Sequence, residues 1–266
     1  MNKPQKSESL QRILALDTST TSLSVAIMDN GKVLHEINEF GERNHSIRIL
    51  SIVEEVLKAS STLNTDVQGI AVGVGPGSYT GTRIAVTAAK TLAWAWNVPV
   101  VGISTLHSLA YGGFIHAINA QEERIGSDQI TWIVPLIDAR RGQVYTALFS
   151  SSELNAPNRI EQDAIRLMEK WTEELAQRIE ATSKEEKPHA IWFVGDVNLH
   201  KEAAERLSTR LGDTLPLHIV SYDLEGRYVG MLGTEKFLAG EQDDMHSLVP
   251  NYTQLAEAEA NLLRKP

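Results

Sequence analysis

Between Gly69 and Trp96 the chain runs through a short apolar segment, a turn with three glycines and a helix-forming stretch almost without charge. That order leaves few folds open. Gly69-Ile70-Ala71-Val72-Gly73-Val74 suits a strand buried on both faces. Gly75-Pro76-Gly77-Ser78-Tyr79-Thr80-Gly81 supplies a tight turn. A helix is expected from about Thr82 to Trp96, where the only charged residues are Arg83 and Lys90. With Ile84, Val86, Leu92, Trp94, Trp96 and the alanines around the rest, such a helix needs cover on more than one side. A buried strand feeding such a helix belongs in an α/β layer.

The flanking sequence extends that layer. Ile13-Leu14-Ala15-Leu16, Leu23 to Met28 and Lys32 to Ile37 read as strands, the last two joined by the hairpin signal Asp29-Asn30-Gly31. Asn44 can cap a helix from His45 to Ala59, and Val98 to Gly102 reads as a further strand. After Gly102 a second, looser pass begins. A helix is expected over Thr105 to Ala120, paired strands over Ile130 to Asp138 and Gly142 to Phe149, helices over Asp163 to Ala181 and His200 to Leu211, and a strand at Ile191 to Val194. The expected lobes are 1–103 and 104–266, with residues 1–10 a flexible tail and the final helix packing back on the first lobe.

Composition limits the function. Asp plus Glu at 34 against Lys plus Arg at 25 gives a net charge of −9, a repulsive average field for nucleic acid. Zero cysteines remove disulfides, thiol nucleophiles and thiolate metal sites. No apolar run approaches the ~20 residues of a membrane-spanning helix, and Met1 to Ser9 lack the apolar core of a signal peptide, so a soluble cytoplasmic protein is expected.

Tests for a catalytic centre mostly fail. No Lys-Ser or Lys-Thr pair follows the glycines of the turn, which excludes a phosphate loop, and Pro76 and Thr80 stand where a nucleophile elbow around Ser78 needs glycine. The turn either cradles an anion or simply permits close packing. The eight histidines include no pair four residues apart, so helix-borne metallopeptidase chemistry is rejected. Asp138-Ala139-Arg140 reads as a turn with an ion pair or as an anion site.

The run Gly75 to Ile84, with Ala89-Lys90-Thr91-Leu92-Ala93-Trp94-Ala95 and Val98 to Ser104, closely resembles the signature of the bacterial TsaB family, also called YeaZ. Leu16-Asp17-Thr18-Ser19, His45-Ser46, Asp138 to Tyr145, Gly195-Asp196, Pro250-Asn251-Tyr252 and Ala256 to Glu259 support the match. The resemblance implies a two-lobed fold of the actin, Hsp70 and sugar-kinase type, each lobe a mixed five-stranded sheet with helices. It also implies a role in placing threonylcarbamoyl on the adenosine beside the anticodon of tRNAs reading codons that begin with A. TsaB-like chains are the non-catalytic partner of a larger paralogue, TsaD, joined by the ATPase TsaE. ATP and metal are then expected on partner subunits, no cofactor on this chain, and tRNA contact only indirectly. Tyr252-Thr253-Gln254 departs from the Tyr-Leu-Arg of many relatives, so no role of that arginine is carried over to this chain.

In this fold the first hairpin brings a carboxylate and a glycine turn to phosphate and magnesium. Asp17-Thr18-Ser19-Thr20-Thr21 keeps the aspartate without a glycine. Asp17 is expected to brace its turn, with Asp17, Thr18 and Gly195 as vestigial nucleotide contacts; an ATP-dependent small-molecule kinase is the alternative function.

Partner contacts are the other expectation. On the first helix Ile52, Val56, Ile49, Val53, Leu57 and Leu50 span an arc of about 160°, wider than the ~100° a sheet-packed helix needs. Either the second helix is buried by its own lobe, or both helices present an apolar strip to another chain. The family pattern favours the second: the N-lobe helices dock on TsaD, and pair two copies when TsaD is absent. His45, Ile49, Val53, Arg83, Val86, Thr87 and Lys90 are the expected interface positions, with Ala85, Ala88, Ala89 and Ala93 allowing close helix approach.

Overall fold

A computed structural model describes residues 12–41, 45–121, 129–183, 186–212 and 215–253, with the side chains of 45–47 and 121 outside that description. The expected tail at residues 1–10 and the family match at Ala256 to Glu259 lie outside the described residues. The chain divides into two compact units. The first comprises residues up to Val74, Thr80–Ile103 and Glu225–Val249; the second comprises Gly75–Tyr79, Ser104–Leu224 and the residues from Pro250 onward. The first unit thus takes back a segment from beyond residue 104, where the sequence reading draws a single boundary at 103.

In the first unit, β1 (Arg12–Asp17), β2 (Ser22–Asp29) and β3 (Lys32–Phe40) form an antiparallel meander, and β4 (Gly69–Gly73) and β5 (Val100–Ile103) add in parallel, giving the order β3-β2-β1-β4-β5. Asn30 and Gly31 adopt positive φ between β2 and β3, as the Asp-Asn-Gly signal predicts. Arg12 Nη2 donates to Asp29 Oδ2 at 2.8 Å and fastens the open end of the β1–β2 pair. Alternation along the strands separates two apolar faces. Leu14, Leu16, Leu23, Val25, Ile27, Ile70 and Val72 share one core with α1 (His45–Ala59) and α2 (Tyr79–Trp96).

The opposite face is covered by α6 (Gly226–Leu238); the sequence leads one to expect a final helix returning to the first lobe but does not give its range. Its glycines explain both the omission and the packing. They weaken the helical signal, yet a Cβ at Gly226 would lie 3.0 Å from the carbonyl carbon of Val25, and at Gly233 it would overlap Ala71 Cβ. The helix therefore lies almost on the backbone of β1, β2 and β4. Gly226 N donates to Asn38 Oδ1 at 2.9 Å, and Arg227 pairs with Glu36, fixing the start of α6 to β3.

The second unit repeats the topology. β6 (Thr131–Asp138), β7 (Gln143–Ser151) and β8 (Asn158–Leu167) are antiparallel, β9 (Ala190–Gly195) and β10 (Leu217–Ser221) parallel, in the order β10-β9-β6-β7-β8. α3 (Thr105–Gln121) packs on this sheet, while α4 (Met168–Ala181) and α5 (Lys201–Leu211) pack against each other and share a core with it. The sheets are the expected ones: each unit carries a five-stranded mixed sheet with helices. One element differs. Residues 163–167 end a strand, where a helix from Asp163 is expected. Asn158–Leu167 is an edge strand whose Glu161, Gln162, Ala164 and Arg166 favour helix locally, and only its pairing with β7 decides otherwise.

Gly233→Ala forces a methyl onto Ala71 Cβ, which sits on a strand and cannot turn aside. The expected loss, measured by urea unfolding, is about 1–3 kcal/mol.

Candidate functional site

At the end of β1, Asp17 and Thr18 are bonded within the chain, while the buried Ser19 Oγ has no hydrogen-bond partner among the described residues. Asp17, at the end of β1, is 1% exposed, and its Oδ1 accepts from Ser19 N at 2.6 Å, an Asx turn. Its other carboxylate oxygen lies where a Cβ on Gly73 would fall, so glycine at the end of β4 is what lets the carboxylate lodge there. The buried Thr18 Oγ1 donates to Gly81 O at 2.7 Å and ties the turn after β1 to the first turn of α2. Asp17, Thr18 and Ser19 are all buried. Asp17 does brace its turn, as the sequence suggests. At the glycine-rich turn, Gly75 N donates to Thr105 Oγ1 at 3.0 Å and Thr105 N donates back to Gly75 O at 2.9 Å.

The second unit carries a counterpart at the ends of β6 and β9. Asp138 Oδ1 accepts from or pairs with His200 Nε2 at 3.0 Å, and Asp138 N donates to Asp196 Oδ2 at 3.0 Å. Ala139 N donates to Gln143 O and Gln143 N to Arg140 O, closing a hairpin turn in which Arg140, Arg141 and Gly142 all have positive φ. The turn alternative for Asp138-Ala139-Arg140 is therefore the one the backbone takes. Gly195, at φ 106°, accepts through its carbonyl from Val197 N at 2.8 Å, and any Cβ there would overlap Leu136 O. It is a close-approach glycine. Asp17 and Thr18 belong to the first unit and Gly195 to the second.

Burial raises the Asp196 carboxyl above its ordinary range; Asp138 and Asp223 add to the rise, while the Asp138 N–H and His200 oppose it. A raised carboxyl in the folded state means that, as pH climbs through the ordinary carboxylate range, the unfolded chain releases its proton first and stability falls. Asp196→Asn removes that dependence. Relative to the parent, its melting temperature is expected to improve between pH 4 and pH 7, a trend thermal scans at the two pH values check.

The helices of the first unit show a different surface. On α1, Ile49, Ile52, Val53 and Val56 are buried in the unit's own core, while Leu57 is half-buried and Leu50 is 56% exposed. The sheet takes the part of the apolar arc it needs, and the excess at one edge faces outward. On α2, Gly81, Thr82, Ala85, Val86, Ala88, Ala89 and Ala93 are buried. Thr80, Arg83, Thr87, Thr91, Trp94 and Ala95 are exposed. Neither simple alternative holds: α2 is buried on one face, and its small residues approach the unit's own sheet rather than a partner.

These facts correct three expected interface positions. Ile49 at 3%, Val53 at 3% and Val86 at 4% exposure are core side chains, because the strands of their own sheet supply the apolar cover. Lys90 Nζ donates to the carbonyls of His246 and Leu248 at 3.1 and 3.0 Å, an anchor within the chain. Arg83 and Thr87 are exposed as expected. His45 opens α1, with its side chain outside the described residues. The sequence reading missed Trp94 as a surface residue, although its position beside Arg83 and Thr87 on the helical wheel marks that side. At 71% exposure it is the most exposed large apolar side chain among those described on the two helices.

Among the described residues no group of three or more His, Asp or Glu could hold a metal ion, and no helix is long and apolar enough to cross a membrane.

The chain is of the TsaD-related class: residues 37–261 match the family model described as TsaD, tRNA N6-adenosine threonylcarbamoyltransferase. The chain is 35% identical over 93% of its length to the tRNA threonylcarbamoyladenosine biosynthesis protein TsaB of Bacillus subtilis, covering 96% of that protein. It is 38% identical to the Escherichia coli protein of the same name over 53% of its length, covering 56% of that relative. YeaZ from Pseudomonas aeruginosa has the same fold, with a TM-score of 0.66 at 23% identity over 91% of this chain and 99% of that one. The chain belongs to the TsaB family.

Thr18→Val leaves the buried Gly81 carbonyl without its hydroxyl donor. The expected cost is about 1–3 kcal/mol in urea unfolding.

Proposed function

We propose that this chain is a non-catalytic subunit in the biosynthesis of threonylcarbamoyladenosine on tRNA, and that it docks through the outward face of α1 and α2 on a TsaD-type enzyme and activates it. The relatives named above support the pathway. The single observation that carries the docking surface is Trp94. An indole 71% exposed on a helix whose inner face is built of alanines is an inverted arrangement, and aromatic side chains of this kind anchor protein interfaces. Leu50, Arg83 and Thr87 extend the outward surface, and His45 belongs to the same proposal. Docking activates if the enzyme's competent conformation presents the better complement to this face, so that binding shifts its population.

Absence of catalysis is supported by the ends of β1 and β4, where Asp17 and Thr18 are buried in structural bonds. The same bonds weigh against the kinase alternative. ATP and metal then reside on partner subunits, including a TsaE-type ATPase, and tRNA meets this chain only indirectly, in keeping with its charge of −9. A cytoplasmic location follows from that substrate. Without the enzyme, the same face pairs two copies of this chain.

Reconstituted threonylcarbamoyl transfer to tRNA, with and without this chain, tests the reading. Val86→Glu is a poor probe, because it buries a charge in the core. Trp94→Glu leaves the core intact and is expected to weaken docking at least about tenfold and lower stimulated transfer in step. Full stimulation by Trp94→Glu would overturn the assigned face; transfer indifferent to the chain would overturn the function.

A further inference from the structure

β5 is the edge strand of the first sheet, and its outward backbone groups are covered by a short segment that follows α6. Ile70 N donates to Pro99 O toward the sheet, so by alternation Val100 and Gly102 turn their groups outward. A single residue meets two of these four groups. Asp243 N donates to Val100 O at 2.9 Å, and Asp243 Oδ2 accepts from Gly102 N at 2.7 Å, an antiparallel bridge with a carboxylate in place of the next peptide. Lys236 Nζ donates to Gly102 O at 3.2 Å. Further along, Lys90 holds the carbonyls of His246 and Leu248, and Asp244 Oδ1 accepts from His246 N and Ser247 N to keep the segment turned. Glycine at 102 permits the approach, since a Cβ there would lie 2.8 Å from Val74 Cγ1 and 3.1 Å from Leu248 Cδ1.

We propose that Glu241–Leu248 is a releasable guard over β5, and that the edge beneath it is a strand-pairing site for β5 of a second copy of this chain. Release is inexpensive because the guard is held largely by solvent-exposed polar bonds, with only Met245 and Leu248 reaching the core. A second copy fits because the exposed edge is self-complementary: turned antiparallel, Val100 of each strand faces Gly102 of the other, and each supplies the N–H and C=O that Asp243 and Lys236 now replace. Val100, Val101 and Ile103 are β-branched, and an open edge of such residues is a template for another strand. This pairing is separate from the helix face of α1 and α2.

The test places Asp243→Ala with Lys90→Met in a Trp94→Glu background, which disables the helix face. Amide exchange at Gly102 is expected to quicken at least about tenfold in dilute solution. Sedimentation is expected to show a dimer growing with concentration, in which Gly102 regains protection. Asp243→Asn, which keeps the side chain's shape, gives a smaller change of the same sign and guards against loss of fold, checked by circular dichroism. Unchanged Gly102 exchange overturns the guard. Fast exchange in a chain that stays monomeric, or a dimer with Gly102 still unprotected, overturns the pairing site.

Discussion

The first unit depends on how closely backbones approach at the ends of its two central strands. Asp17 leaves β1 with its carboxylate lodged against Gly73 at the end of β4, which only a residue without a Cβ allows. From there Thr18 reaches Gly81 and sets where α2 begins. The same contact holds the Asp17 carboxylate, buried, in its own Asx turn.

The sheet then sorts the helices. Its one face accepts about as much apolar surface as four residues of α1 and the small residues of α2 provide. What remains, Leu50 and Trp94, faces outward, on the side of the same helices opposite their buried residues. On the other face, glycines at 226, 230 and 233 let α6 settle onto β1, β2 and β4, where larger residues would hold it away. The segment after α6 is thereby delivered to the β5 edge.

Much of this was legible beforehand. The meander of β1 to β3, the strand at Gly69, the turn at Gly75 and the start of the second pass followed from alternation, Asp-Asn-Gly and glycine placement. The candidate site was less legible. Ile49, Val53 and Val86 look like interface residues because hydrophobicity does not record which side of a helix meets the sheet. Lys90 looks like a surface cation, and its carbonyl partners lie more than 150 residues away in the chain, at His246 and Leu248.

The sequence by itself determined the α/β class, the absence of thiols, the acidic field and the family, because these rest on composition, short-range periodicity and motif spacing. Tertiary structure alone decided that Asn158–Leu167 is a strand, that the glycine-bearing Gly226–Leu238 is the helix that covers the first sheet, and which residues of α2 face outward. Each of these is settled by a contact between distant segments. Local propensity favours the opposite answer for the strand and the helix, and is silent on the face.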